Sequence, residues 1–326
     1  MAGWKSLGAL LAAPAPRTLS ILGFHNLAPT FSQPFVEPRF PERFRRLILR
    51  LNGRFEFVTV TEGFRRLSGG EAPSRPLIAV IFDDGYRDVL ETVLPILQPL
   101  GVPATSYVVE RSLRTGAIPW YEELGRVVFA TPRDRVCVRV DDVAWEVDLP
   151  AAARSREPAF WDLVRRLKAD FRPGTAEAVA TLAETHDVAP HDPEKEPLML
   201  RVPDIQPLLD GGFEVGSHSL THPILPRLEA GPMREEIVDS RVRIGELIGR
   251  EVTSFCYPNG DNDDRCRKLV EEAEYVCAVS MACGANAPGN WDGLRLRRTP
   301  LSENIGRLWP LHSVYRIRAT LSELSS

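Results

Sequence analysis

Two adjacent aspartates, Asp83 and Asp84, end the apolar run Leu77–Phe82 and are followed at once by Gly85. A short β-rich apolar run between Pro76 and a glycine turn is the signature of a buried strand whose carboxyl end opens into a loop. In parallel β/α architectures reactive groups collect at these carboxyl ends, because the loops there can vary while the strands stay rigid. Successive residues at a strand end point in different directions, so the two carboxylates can hold separate tasks. The plainer use of Asp-Asp-Gly is a turn before the helix expected over Val89 to Leu100.

A second stretch, Glu214 to Pro223, carries His218 and His222, two of only six histidines in the chain, behind another strand-like segment at Phe213 to Gly216. On a helical turn, or a tight loop resembling one, a spacing of four turns both imidazoles to the same side. With one carboxylate they supply three protein ligands and leave a position for water, the composition of a catalytic rather than a closed structural metal site.

The sequence resembles the polysaccharide deacetylases of the chitooligosaccharide deacetylase (NodB-like) homology type, from about Leu19 to about Pro300. Phe82-Asp83-Asp84-Gly85 carries the first motif and His218-Ser219-Leu220-Thr221-His222-Pro223 the second. Phe255-Cys256-Tyr257-Pro258-Asn259-Gly260 carries the third in altered form, and Phe24-His25 resembles the end of the family's first strand. The resemblance implies a distorted, seven-stranded (β/α) barrel. It also implies hydrolysis of an N-acyl group, typically N-acetyl, on an amino sugar of a polysaccharide or glycoconjugate.

Composition sets outer limits. A chain of 326 residues, 44% hydrophobic, has ample core for one large α/β barrel or two domains. A net charge of -4 gives no basic footprint for nucleic acid. The five cysteines are odd in number and show no Cys-x-x-Cys spacing, which argues against a disulfide framework or a zinc knuckle and fits a reducing, cytoplasmic setting. Residues 1–18 only faintly imitate a signal peptide and are taken as a leader, and no apolar run approaches the length of a bilayer span. Oligomeric state is not legible.

The barrel is expected over residues 19–302, with an insertion at about 111–197 and a helical tail over 303–326. Strands are expected at Leu19 to Phe24, Phe55 to Val60, Leu77 to Phe82 and Ala104 to Val109, with helices at Phe40 to Leu51, Gly63 to Leu67 and Val89 to Leu100. This βαβ rhythm predicts parallel pairing. In the insertion, Val136 to Val140 and Val143 to Val147 alternate around Asp141-Asp142 as a hairpin does, and Trp161 to Phe171 and Ala176 to Glu184 have helical spacing. Trp120, Tyr121 and Glu122 could offer a sugar an aromatic face, or simply pack the insertion onto its scaffold. The barrel resumes at Pro203 to Leu209. A long helix follows over Met233 to Ile248, then strands at Ser254 to Tyr257, Val276 to Val279 and Leu294 to Arg297.

Asp84, His218 and His222 are therefore the candidate ligands of a divalent ion, zinc foremost with cobalt or nickel as alternatives, and Asp83 is the candidate base. The resemblance assigns the same roles to the two aspartates, and implies that a backbone N–H of the third motif, here at Asn259, binds the oxyanion. Two departures stand out. Cys256 occupies the position where many members carry an arginine that orients the base, and a thiol cannot make that charge-assisted bond. The late Leu-x-His motif that supplies a general acid is also not evident; His312, in Trp-Pro-Leu-His-Ser, matches it poorly, and His25 is a possible substitute.

Strand alternation through Leu294-Arg295-Leu296-Arg297-Arg298 puts Leu294 and Leu296 toward the core, sends Arg295 and Arg297 outward and returns Arg298 to the inward face, which makes Arg298 the candidate replacement for the missing arginine. Two other readings stay open. One is a metal-dependent amidase or deformylase for another small amide, and the other a degenerate carbohydrate-binding relative. Against the second stands the intact set of Asp83, Asp84, His218 and His222.

Overall fold

The structure, a computed structural model, describes residues 17–301 apart from residues 173 and 290. The expected leader before residue 17, the helical tail and His312 lie outside the described residues. Ten strands are described: β1 (Leu19–Phe24), β2 (Glu56–Phe57), β3 (Leu77–Phe82), β4 (Ala104–Val108), β5 (Arg135–Val140), β6 (Val143–Asp148), β7 (Phe213–Ser217), β8 (Ser254–Cys256), β9 (Cys277–Val279) and β10 (Thr299–Pro300). All but β5 and β6 form one parallel sheet in the order β10-β1-β3-β4-β7-β8-β9, with β2 paired to the start of β3 on the side that β4 takes further along. The sheet curls so that Leu296 bridges Val279 at one end while Thr299 and Pro300 pair with β1 at the other. The result is the distorted, seven-stranded (β/α) barrel expected from the sequence, with β2 a short spur.

Alternation along the strands builds the two layers of the core. Leu19 and Ile21 of β1 and Leu77, Ala79 and Ile81 of β3 face inward, where they meet Tyr107, Cys256, Cys277, Val279 and Leu296. The intervening residues Leu22, Phe24, Ile78, Val80 and Phe82 face the surrounding helices. A strand buried on both faces needs a nearly unbroken apolar run, which is what Leu77–Phe82 provides.

Several boundaries differ from those expected. The second strand is only Glu56–Phe57, because Thr59 caps a helix over Val60–Ser68 by accepting from the Glu62 N–H. The stretch at Pro203 to Leu209 lies in a helix, Val202–Asp210, with proline in its first turn and the Asp204 carboxylate accepting from the Arg201 N–H. Leu294 to Arg297 is no regular strand and makes the single bridge at Leu296.

Between β4 and β7 the chain forms the hairpin β5–β6 and the helices Trp120–Ala130, Glu157–Ala169 and Thr175–Ala180. This insertion has its own apolar core, which includes Leu124, Val128, Val138, Phe160, Leu163, Leu167 and Val179. On helix Glu157–Ala169 the residues Phe160, Leu163, Val164 and Leu167 are buried at the i, i+3, i+4, i+7 spacing of one face. Among the described residues no helix is long and apolar enough to cross a membrane, and all five cysteines are free.

Candidate active site

Asp83 and Asp84 follow β3 directly, at the carboxyl rim. Asp83 stays tied to the sheet through its N–H, which donates to the Phe24 carbonyl at 2.9 Å. Asp84 leaves it with a positive φ of 70°, and Gly85 continues the turn at 76°. His218 follows β7, and its N–H donates to the Val108 carbonyl at 2.9 Å. The histidine loop is not helical: Ser219 and His222 have φ of 70° and 62°. Glu236 holds it from outside by accepting from the Leu220 and Thr221 N–H groups and from the Thr221 hydroxyl. Asn259, in the third motif, has φ of 54°. Left-handed non-glycine residues cost about 1–3 kcal/mol each and collect where function dictates the backbone; here three of them, Asp84, His222 and Asn259, line one cavity, and Ser219 shapes the loop between the two histidines.

The three expected ligands meet. Nε2 of His218 and Nε2 of His222 each lie 3.3 Å from Asp84 Oδ1. His218 Nδ1 donates to the Cys256 carbonyl at 2.6 Å, which leaves its Nε2 lone pair facing the others. Asp84 Oδ1 is buried, and neither contact gives it a well-directed hydrogen bond. Two imidazole nitrogens and a carboxylate oxygen, all within 4.8 Å of one another, are a donor set that a divalent ion fits and that hydrogen bonding alone does not satisfy. Burial alone would raise the Asp84 carboxyl; the two imidazoles hold it well below the usual carboxylate range. Its other oxygen, Oδ2, accepts from the Tyr121 hydroxyl at 2.6 Å. Burial, reinforced by Asp84, pushes that phenol well above its ordinary range, so it remains a donor.

Asp83 sits beside this set without joining it. Its Oδ2 accepts from Arg298 Nη1, and its Oδ1 faces the Cys256 thiol at 3.5 Å. The guanidinium overrides burial and keeps the Asp83 carboxyl below its ordinary value. The absence of a side chain at Gly23 makes room for this arginine, since a Cβ there would lie 3.3 Å from Arg298 Cδ. Arg295, by contrast, pairs with Asp264 at the surface. His25 is brought to the rim, half-exposed, with Nε2 4.0 Å from Asp84 Oδ2.

Asp83, Asp84, His218, His222, Arg298 and His25 line a cavity of about 290 Å³. The insertion forms part of its wall through Tyr121, Trp161, Val164 and Lys168. The segment Trp120-Tyr121-Glu122 does the second of the two things expected of it, tying the insertion to its scaffold, and Tyr121 also lines the cavity. Trp120 packs on Phe171, Tyr121 reaches Asp84, and Glu122 is fully buried, accepting from Ser32 and Tyr86. Lys168 was not among the residues singled out from the sequence. The available signal was its rarity, as one of four lysines in the chain.

Comparison with known proteins gives the family and the fold. Residues 70–278 match the family model for polysaccharide deacetylase. YxkH of Bacillus subtilis (strain 168), a relative named for the same family, is 28% identical over 98 residues; the match spans 30% of this chain and only 34% of that relative. Among solved structures, deacetylase PplD from Streptococcus pyogenes, in complex with acetate, superposes with a TM-score of 0.57 at 15% identity, covering 89% of this chain and 95% of that one. IcaB from Ammonifex degensii gives 0.55 at 16% identity, over 92% and 97%. The BpsB deacetylase domain from Bordetella bronchiseptica gives 0.52 at 16%, over 89% and 97%. At these identities the structural likeness speaks for the fold. The matched motifs lie within the family model, and the chain belongs to the polysaccharide deacetylase family.

Proposed function

We propose that this protein is a metal-dependent deacetylase that hydrolyses the N-acetyl or a similar N-acyl group of an amino sugar in a polysaccharide or glycoconjugate. The observation that carries the reading is the convergence of Asp84 Oδ1 with the Nε2 atoms of His218 and His222, beside an Asp83 that Arg298 keeps ionised. Zinc suits two imidazoles and one carboxylate, with cobalt or nickel as alternatives. When bound, such an ion supplies an acidified water and an electrophile for the acyl oxygen.

The chain's own residues have the remaining work. As water's oxygen bonds to the acyl carbon, its proton passes to Asp83 and the carbonyl π pair moves onto the acyl oxygen. The Arg298 pair keeps Asp83 turned toward the cavity and ionised until that proton arrives. The Asn259 N–H is the candidate donor to the resulting oxyanion; among the described residues it meets no backbone acceptor outside its short turn. When the pair on oxygen re-forms the carbonyl, the C–N bond breaks and the nitrogen leaves with a proton, for which His25 at the rim is the candidate source.

An exopolysaccharide is the substrate class we would try first. The test is acetate and free-amine release from a panel of N-acetylated oligosaccharides by the parent protein and Asp83→Asn. Release by the parent and its loss in the variant support the reading, whereas equal release by both refutes the assigned chemistry.

A further inference from the structure

The insertion places one cationic side chain on the wall of the active cavity. On helix Glu157–Ala169, Trp161, Val164 and Lys168 line the cavity. Val164 belongs to the face packed on the insertion core, so Trp161 and Lys168 occupy the edge of that face and look onto the site. Lys168 Nζ donates to Asn259 Oδ1 at 2.5 Å and lies 5.8 Å from the centre of the Tyr121 ring. Its two neighbours are thus the residue whose N–H is the candidate oxyanion donor and the residue that holds Asp84.

Among the described residues no carboxylate lies within ion-pair distance of this ammonium. Arg298, the other cation in the cavity wall, is already committed to Asp83. A lysine at a protein surface normally extends into water or meets an acid; this one turns inward to a neutral amide and an aromatic face. Burial pushes the ammonium below the ordinary lysine range. An anion arriving in the cavity would relieve that cost.

We infer that Lys168 is a substrate-contacting catalytic residue, whose ammonium, beside the Asn259 N–H, holds the acyl oxygen as negative charge builds on it during water attack. The inference rests on the deacetylase reading given above. It assigns to the insertion a part in the chemistry, and it explains why the lysine is latched to Asn259 instead of an acid: the amide positions the ammonium without neutralising it. The same contact also favours the carboxylate product, which carries its charge on the same oxygen.

The test uses metal-loaded protein with Lys168→Met, which keeps length and loses charge, and Lys168→Arg, which keeps charge. Metal content and thermal unfolding of Lys168→Met are expected to match the parent. Acetate affinity measured by calorimetry should fall about tenfold or more, the weight of a charge-assisted hydrogen bond. The kcat on an N-acetylated oligosaccharide should fall on the order of a hundredfold with KM little changed, the size of one lost oxyanion donor. Lys168→Arg should recover part of both losses.

Parent-like acetate binding by Lys168→Met overturns the inference, whatever its turnover, because a lysine that merely braces the Asn259 loop would leave that binding intact. A kcat loss that vanishes with p-nitrophenyl acetate, whose leaving group needs no proton, makes the lysine a proton donor and also overturns it. A parent that binds acetate through Lys168 yet releases none from N-acetylated sugars would sink the deacetylase reading while the lysine's contact with the anion stood.

Discussion

The Arg298 guanidinium donates to the Asp83 carboxylate across 215 residues of chain, with the two side chains only 3% and 1% exposed. A charge pair this deeply buried is costly to break, because the partner left behind is a charge without water. Arg298→Ala is expected to lower kcat on the order of a hundredfold or more with metal content retained, as an orienting contact is lost. It should also destabilise the fold by about 3–5 kcal/mol. Arg295→Ala, which removes a surface pair with Asp264, should leave kcat within about twofold of the parent, since exposed pairs contribute about 1 kcal/mol or less and act on stability. Comparing kcat and urea midpoints of the two variants checks this, and equal effects would contradict the role of Arg298.

The two aspartates should separate by what each mutation removes. Asp83→Asn is expected to keep nearly all the metal and lose turnover, while Asp84→Asn, His218→Ala and His222→Ala should each lose metal. Metal analysis after dialysis distinguishes them; equal metal loss in Asp83→Asn and Asp84→Asn would show that both carboxylates are ligands.

Tyr121→Phe deletes only the hydroxyl that donates to Asp84 Oδ2 and leaves the ring packed against Trp120. Loss of such an outer partner is expected to weaken metal affinity about 10–100-fold with little change in thermal stability. Competition with a chromogenic chelator reads this directly. Unchanged affinity would mean that the phenol does not orient the ligand.

Part of this site was legible in the sequence and part was not, for physical reasons. The run Leu77–Phe82 announces its own strand because both faces of that strand are buried, and the rim position of Asp83 and Asp84 follows from it. Alternation correctly turned Leu296 and Arg298 inward but not Leu294, which is half-buried against the helix-side core, because the segment makes only one bridge and no regular ladder fixes its phase before Leu296. The spacing of His218 and His222 pointed to a shared target but not to the loop conformation, which depends on left-handed residues and on Glu236, 15 residues beyond Thr221. The contacts of Tyr121 and Lys168 were out of reach for the same reason. Their partners, Asp84 and Asn259, are 37 and 91 residues away, and only the folded insertion joins them.

The loop after β1, which carries His25, is tied down by Asp88, whose Oδ2 accepts from the Leu27 and Ala28 N–H groups while its Oδ1 is buried without a partner. Burial pushes this carboxyl up to about 6, above its unfolded value. The folded state therefore holds the proton more tightly, so this group's contribution to stability is full below about pH 4 and is lost as pH rises through about 6. Asp88→Asn keeps an acceptor for the two N–H groups and does not titrate. It should flatten the stability profile between about pH 4 and 6 and leave the protein more stable at pH 7, by up to about 3 kcal/mol. Chemical denaturation at several pH values checks this, and an undiminished slope in the variant would contradict it.

The central claim is that Asp84, His218 and His222 hold the ion on which amide hydrolysis depends. The most direct measurement is acetate release from an N-acetylated oligosaccharide by chelator-stripped protein titrated with zinc. The account predicts negligible release at the start, a linear rise with added zinc and a break at about one ion per chain. Full activity in the stripped protein, or a rise that is the same in His218→Ala, would contradict it.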